Sequence, residues 1–260
     1  MKVSGMFSRD TDKQWEKFGR EDAYFGVIAQ DKYKMANLND ETKEEFFRTG
    51  QEYVDRLLRE IKRHLDPGFT IRKALDFGCG VGRVVIPLAK VAKHVTGADV
   101  SESMLREAQK NCESRGIENV NFVKSDDDLS LLNDRYDFIH SLIVFQHIPV
   151  KRGERILKNL MTRLEEGGCA VLHFTYEKNY RFRRVTSWIR KNVPLTRRIV
   201  NIAKGKSFFT PEMQMNAYDL NRLFLTIQKF GADEVYTKFS DHNGDLGVIM
   251  YFQKRLKQGK

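Results

Sequence analysis

The run Leu75-Asp76-Phe77-Gly78-Cys79-Gly80-Val81-Gly82-Arg83 constrains this chain more than any other feature. A short apolar stretch ends there in a carboxylate, and glycines follow at alternate positions before Val84-Val85-Ile86-Pro87-Leu88-Ala89. That order reads as a buried strand, a turn built of glycines and the first turns of a helix. Lacking a Cβ, the glycines let the backbone approach a ligand closely. The next apolar stretch, His94-Val95-Thr96-Gly97-Ala98, closes on a second acid, Asp99. A carboxylate at that edge of a parallel sheet is placed to take both hydroxyls of a ribose.

Periodicity extends this unit in both directions. A helical stripe of Phe46, Phe47, Tyr53, Val54, Leu57, Leu58 and Ile61 precedes the first strand, within 41–65. Strands are expected at about 72–77, 94–99, 120–124, 136–141 and 168–174, with helices at about 82–92, 102–115 and 150–165. The tail adds a helix at about 218–230 and strands at about 232–239 and 247–253, joined by a loop over Asp241-His242-Asn243-Gly244-Asp245. Alternating helices and strands imply an α/β fold, a doubly wound, Rossmann-like sheet of seven strands. The short last loop makes the terminal hairpin antiparallel. An N-terminal helical arm over 1–70 and a core over 71–260 with an insertion at about 175–215 complete the expected organisation. At 260 residues the chain suits one such domain with an appendage.

The glycine spacing separates two kinds of nucleoside site. A dinucleotide fingerprint runs G-x-G-x-x-G; here the pattern is acid-x-G-x-G-x-G. It resembles motif I of the class I S-adenosylmethionine-dependent methyltransferases. The resemblance implies S-adenosylmethionine as cofactor and S-adenosylhomocysteine as its product. It places Gly78, Cys79, Gly80, Gly82 and Arg83 around the methionine part, with Asp76 orienting the ammonium group.

Later segments carry the resemblance on, over roughly residues 72–174. Asp99-Val100-Ser101 with Met104 matches the strand end where that family binds ribose and packs a hydrophobe on adenine. Phe122-Val123-Lys124-Ser125-Asp126-Asp127 matches the strand end whose acid accepts from the adenine amino group. Asp126 is the first choice, with Asp127 and Asp128 leaving the register open. Tyr136 to Ser141, continuing through Leu142 to Pro149, looks like motif IV of the family's small-molecule branch and puts Ser141 and Leu142 at the cofactor. It lacks the Asn/Asp-Pro-Pro-aromatic loop of many amino-methylating DNA and RNA enzymes. Upstream, the aromatic stretch Trp15 to Gly26 is similar to an arm that folds over the cofactor; Trp15 and Phe18 read as packing residues, Tyr24 and Phe25 as lid residues.

The formal net charge of +10 is concentrated. From Glu177 to Thr210 there are ten basic residues against one acid, interleaved with Tyr180, Phe182 and Trp188. Lying after the fifth strand, this segment is expected to cap the acceptor, and its charge suggests an anionic partner. A membrane surface contacted through 177–210, a phosphate-bearing glycan or lipid, and RNA (less favoured) are the alternatives, beside a plain solvated face.

Methyl transfer from a sulfonium needs an aligned nucleophile and a dry site; a hydroxyl acceptor also benefits from a general base. Histidines at the expected strand ends supply candidates, in the order His147, His242, His173, whereas His64, His94 and His140 read as structural. No acid-acid-amide metal pattern is evident. The three widely spaced cysteines suggest neither disulfides nor zinc. With no signal-like N-terminus and no apolar run near the ~18 residues of a membrane span, a cytoplasmic location is expected, with peripheral inner-membrane contact through the basic segment. The expectation is a methyltransferase acting at oxygen on a small-molecule, sugar or glycolipid acceptor. The alternatives are an RNA methyltransferase, a non-catalytic nucleoside-binding partner of the same fold, and a nicotinamide-dependent oxidoreductase, which the glycine spacing disfavours.

Overall fold

A computed structural model describes residues 11–178, 213–242 and 244–255. The basic cap expected at about 175–215 falls mostly outside the described residues, between 178 and 213.

Seven strands of the described chain form one sheet: β1 (Lys73–Phe77), β2 (His94–Asp99), β3 (Val120–Lys124), β4 (Tyr136–Ser141), β5 (Leu164–Lys178), β6 (Val235–His242) and β7 (Asp245–Gln253). Their order is β3-β2-β1-β4-β5-β7-β6. The first five run parallel; β7 pairs antiparallel with both β5 and β6. The chain reverses its direction of travel across the sheet between β1 and β4, which opens a crevice at their carboxyl ends.

Helices α1 (Thr11–Glu21), α2 (Ala23–Val27), α3 (Asp40–His64), α4 (Val85–Ala89), α5 (Glu102–Glu113), α6 (Val150–Arg163) and α7 (Leu220–Lys229) surround this sheet. Successive strand residues face opposite ways, so each strand feeds two cores. Ala74, Val95, Phe138 and Val171 join Phe46, Val54, Leu57 and Ile61 of α3 and Leu105 of α5. Leu75, Ile139, Ala170 and Leu172 join Ile156, Leu157 and Leu160 of α6 and Ile227 of α7. The start of α3 is fixed by a reciprocal cap: Asn39 Oδ1 accepts from the Thr42 amide at 2.9 Å, and Thr42 Oγ1 accepts from the Asn39 amide at 2.8 Å.

Three expected boundaries move. The helix expected over 82–92 is only α4, five residues long; Gly82 at φ +87° still belongs to the turn. Strand β5 outruns 168–174 at both ends: Leu164 pairs with Tyr136 of β4, and β7 pairs with β5 as far as Lys178–Asp245. That pairing also draws in the hairpin: Asp241 and His242 lie in β6, and Asp245 in β7, rather than in a loop. All three cysteines are free and buried. Among the described residues, no helix is long and apolar enough to cross a membrane.

Candidate functional site

The crevice at the strand ends holds a cavity of about 130 Å³, lined by the turn after β1, the end of β2, the loops after β3 and β4, and helix α1. Its floor is the glycine turn. The amides of Gly78 and Cys79 donate to the Ala98 carbonyl at 2.7 and 3.1 Å, tying the turn to the end of β2. Asp99 completes the tie: Oδ2 accepts from the Gly80 amide and Oδ1 from the Ser101 amide, each at 2.9 Å. Burial pushes Asp99 up to about 6 despite those hydrogen bonds. Its accessible surface faces the cavity, beside Val100 and Met104.

Two glycines are required by their neighbours more than by open space. Gly78 has φ +76°, and a Cβ there would lie 2.3 Å from Val144 Cγ2. At Gly80, with φ +53°, a Cβ would lie 2.6 Å from Val27 Cγ2 of helix α2. The first contact seats the loop after β4 on the turn, and the second seats the arm on it. Ile143, in that same loop and on the cavity wall, has φ +59°. A β-branched residue there stores strain of about 1–3 kcal/mol.

The roof is helix α1. Thr11, Asp12 and Trp15 face the cavity. Arg152 of α6 joins roof to floor: it donates to both Asp12 carboxylate oxygens at 3.0 Å, to Thr11 Oγ1 at 2.7 Å, and to Asp127 at 2.8–3.0 Å. Glu16 is the second tie, accepting from Ser101 Oγ at 2.8 Å and Ser103 Oγ at 2.6 Å at the start of α5. Burial alone would raise Glu16; the serine hydrogen bonds outweigh it and hold the carboxyl below its ordinary range.

At the far wall, His147 packs against Trp15 with ring centroids 4.9 Å apart. A chain of hydrogen bonds fixes its tautomer. Thr175 Oγ1 donates to Gln146 Oε1 at 2.9 Å, leaving the Gln146 amide nitrogen to donate to His147 Nε2 at 3.2 Å. His147 Nδ1 then donates to the Gln214 carbonyl at 2.6 Å. Burial pushes His147 down to about 4, so the ring is neutral at ordinary pH with its lone pair on Nε2.

Of the residues expected at the cofactor, Gly78, Gly80, Asp99, Val100, Met104, Asp126, Asp127 and Leu142 line this cavity, as does His147. Asp126 is turned back on its own loop, accepting from the Asp128 and Ser130 amides and from Ser130 Oγ. Asp76, Cys79, Gly82, Arg83 and Ser141 are not among its lining residues. Ser141 Oγ donates to the Phe77 carbonyl at 2.9 Å, and burial pushes the Cys79 thiol well up. Arg83 points to α3, donating to Thr49 Oγ1 at 3.3 Å, and its Nε is buried without a partner.

Tyr24 requires correction as a lid residue. It is buried under Phe46 and Phe47, and its hydroxyl bonds to Glu107 and Asn111 at 2.9 Å each. The arm's aromatic side chain at the cavity is Trp15, a residue whose sequence context reads as packing. His173 lies within β5 rather than at its end, and His242 is an exposed residue of β6. Their rings sit 5.4 Å apart, and His173 Nε2 meets Ser240 Oγ at 2.9 Å. Burial first, then the neighbouring His242 and His147, push His173 down to about 3. Neither lines the cavity. Asp12, Glu16 and Arg152 carry no sequence signal, because each acts through a partner distant in the chain; Gln146 adjoins His147 but is oriented by Thr175, 29 residues away.

Residues 74–168 match the family described as a methyltransferase domain. The ubiquinone biosynthesis O-methyltransferase of Coxiella burnetii is 27% identical over 156 residues, covering 58% of this chain and 64% of that protein. The chain thus spans under two thirds of the length of the curated relatives it first matches. The magnesium-protoporphyrin O-methyltransferase of Synechocystis is 34% identical over 85 residues, 33% of this chain and 37% of the other. In structure, magnesium protoporphyrin IX methyltransferase from Synechocystis, solved with bound S-adenosylmethionine, aligns over 96% of this chain and 99% of its own at TM-score 0.60 and 17% identity. The N-methyltransferase NodS from Bradyrhizobium japonicum aligns over 93% and 98% at TM-score 0.55 and 14% identity. Residues 74–168 thus match a methyltransferase domain, and the fold around them is shared with a methyltransferase solved with bound S-adenosylmethionine.

The cavity suits that cofactor's nucleoside. Asp99 presents a carboxylate to it, and Val100, Met104, Leu142 and Ile143 give apolar walls for a flat ring.

Proposed function

We propose that this protein transfers a methyl group from S-adenosylmethionine to an oxygen of a small, anionic acceptor. The observation that carries the reading is the cavity itself, with a ribose-type carboxylate at one end and a neutral, tautomer-fixed imidazole at the other. Asp99 would accept from the ribose hydroxyls, Val100 and Met104 would pack on the adenine, and Asp76 would face the ammonium group. The bound cofactor supplies an activated methyl group on a sulfonium. The protein's share is to hold the acceptor oxygen in line, exclude water with Trp15 and α1, and receive a proton.

His147 Nε2 is the proposed proton acceptor, once an acceptor hydroxyl displaces the Gln146 amide. A base with pKa about 4 is weak, which matches an acceptor oxygen that ionises readily or is already ionised. The ten basic residues between Glu177 and Thr210 fit the same kind of molecule, a charged sugar, lipid-linked or aromatic acid. Their contact with a lipid surface belongs to the same proposal.

Transfer of labelled methyl from S-adenosylmethionine to a panel of phenols, carboxylates and phosphorylated sugars, with neutral analogues alongside, is the test. With an active hydroxyl acceptor, His147→Ala should lower kcat about 10²-fold, the low end for a lost general base, and leave S-adenosylhomocysteine affinity unchanged. Because His147 is neutral above about pH 4, it should give no ascending limb near 6.5. Such a limb, or an unaltered kcat in the variant, would remove His147 from the role.

A further inference from the structure

Behind the glycine turn, three buried side chains from three elements form a hydrogen-bonded line. Asp76 Oδ1, at the carboxyl end of β1, meets His140 Nδ1 of β4 at 2.7 Å. His140 Nε2 meets the Tyr53 hydroxyl of α3 at 2.9 Å. Relative exposures of 3%, 1% and 8% leave water little share in these contacts. A carboxylate only accepts, so Nδ1 carries the imidazole proton; Nε2 is then the lone pair, and Tyr53 donates to it. Burial, the leading cause, holds the Tyr53 hydroxyl well above its ordinary pKa, so it stays a donor.

The line has only one open end. Tyr53 is enclosed in the α3 core, and His140 has both nitrogens engaged. Asp76 has a second oxygen, Oδ2, to which no described residue donates a hydrogen bond. Oδ2 is not among the fully buried orphan atoms of the described residues, so the carboxylate has one oxygen clamped and the other open, an arrangement that suits a cation at Oδ2. Gly78, two residues on, lines the cavity. A lone aspartate at a strand end has several rotamers; one held through its neighbour by a tyrosine on a 25-residue helix has one.

We propose that His140, held by Tyr53, is a positioning residue that aims Asp76 at the α-ammonium of the cofactor's amino-acid end. This rests on the assignment of Asp76 to that end made above. A purely structural histidine would support the fold and every part of the cofactor alike. The relay instead acts on one end of the ligand, so its loss is read out as selectivity. Two ligands separate the ends: S-adenosylhomocysteine carries the amino acid, and 5′-methylthioadenosine keeps the nucleoside without it.

The experiment is calorimetric titration of both ligands into the full chain and its variants, with folding checked by thermal denaturation. Asp76→Asn comes first and tests the underlying assignment: it should lower the S-adenosylhomocysteine to 5′-methylthioadenosine preference about tenfold or more, the size of a lost hydrogen bond to a charge. An unchanged preference there would overturn the assignment itself. Given that result, His140→Phe removes the donor and should reduce the preference about tenfold with 5′-methylthioadenosine affinity kept. His140→Asn, whose amide nitrogen replaces Nδ1, should restore most of it. Tyr53→Phe deletes one hydroxyl from an intact ring and should give a smaller loss in the same direction, a readout that stands even if His140→Phe fails to fold. Equal weakening of both ligands by His140→Phe and Tyr53→Phe, or no change in preference with either, would overturn the proposal while leaving Asp76 in place.

Discussion

Beneath the cleft, Gly78, Gly80 and Asp99 take their positions through backbone amides within one β-α-β unit; above it, Asp12 and Glu16 are held by side chains of α6 and the start of α5, and Trp15 packs on His147. The floor keeps its shape because β1 and β2 already lie side by side, and the turn has glycine where a Cβ would strike Val144 or Val27. The roof keeps its place through two polar ties and the packing of Gly19 and Gly26 on Met104. Its main tie, Arg152, is about a third exposed. Partly exposed ion pairs contribute little apiece, while a turn built into paired strands moves only if the sheet does. Recognition thus falls to the floor and residence time to the roof.

The largest effect is expected in the floor. Asp99→Ala should weaken S-adenosylhomocysteine by about 1–3 kcal/mol through lost charge-assisted hydrogen bonds, measured by calorimetry. Wild-type affinity should also fall as pH drops through about 6, where Asp99 takes up a proton; the variant should lack that loss. The sign for stability is opposite. A carboxyl raised from 3.8 to about 6 by burial destabilises the fold when charged, so this group's penalty is relieved as pH falls from about 6 toward 4. Binding and stability should therefore part company in that window.

A smaller effect is expected in the roof. Arg152→Ala removes the guanidinium that bridges Asp12 and Asp127 and should speed S-adenosylhomocysteine dissociation about fivefold in stopped-flow measurements, equivalent to about 1 kcal/mol. Thermal stability should hardly change. If Arg152→Ala weakened binding as much as Asp99→Ala, the division between recognition and residence would fail.

The same division explains what the sequence makes legible. The glycine turn and Asp99 are readable because they belong to one β-α-β unit, with Gly80 and Asp99 only 19 residues apart in the chain. The arm is readable as an aromatic stretch, but its facing is not: Tyr24 turns into the Phe46–Phe47 cluster and Trp15 turns to the cavity, a choice made by how α1 and α2 pack on α5. Arg152 and Asp12 are separated by 140 residues, so no local pattern announces them. His140 reads as a core histidine from its place in β4, and only the approach of α3 gives it Tyr53. His242 and His173 look like edge residues until the β5–β7 pairing shows how far the hairpin extends.

Hydrogen exchange of the full chain with and without S-adenosylhomocysteine measures floor and roof together. Saturating ligand should slow amide exchange in 76–82 and 99–104, and equally in α1 and α2, with the Arg152→Ala variant losing the slowing only in α1 and α2. Protection confined to the strand ends, with α1 exchanging at the same rate with and without ligand, would contradict a cleft closed between floor and arm.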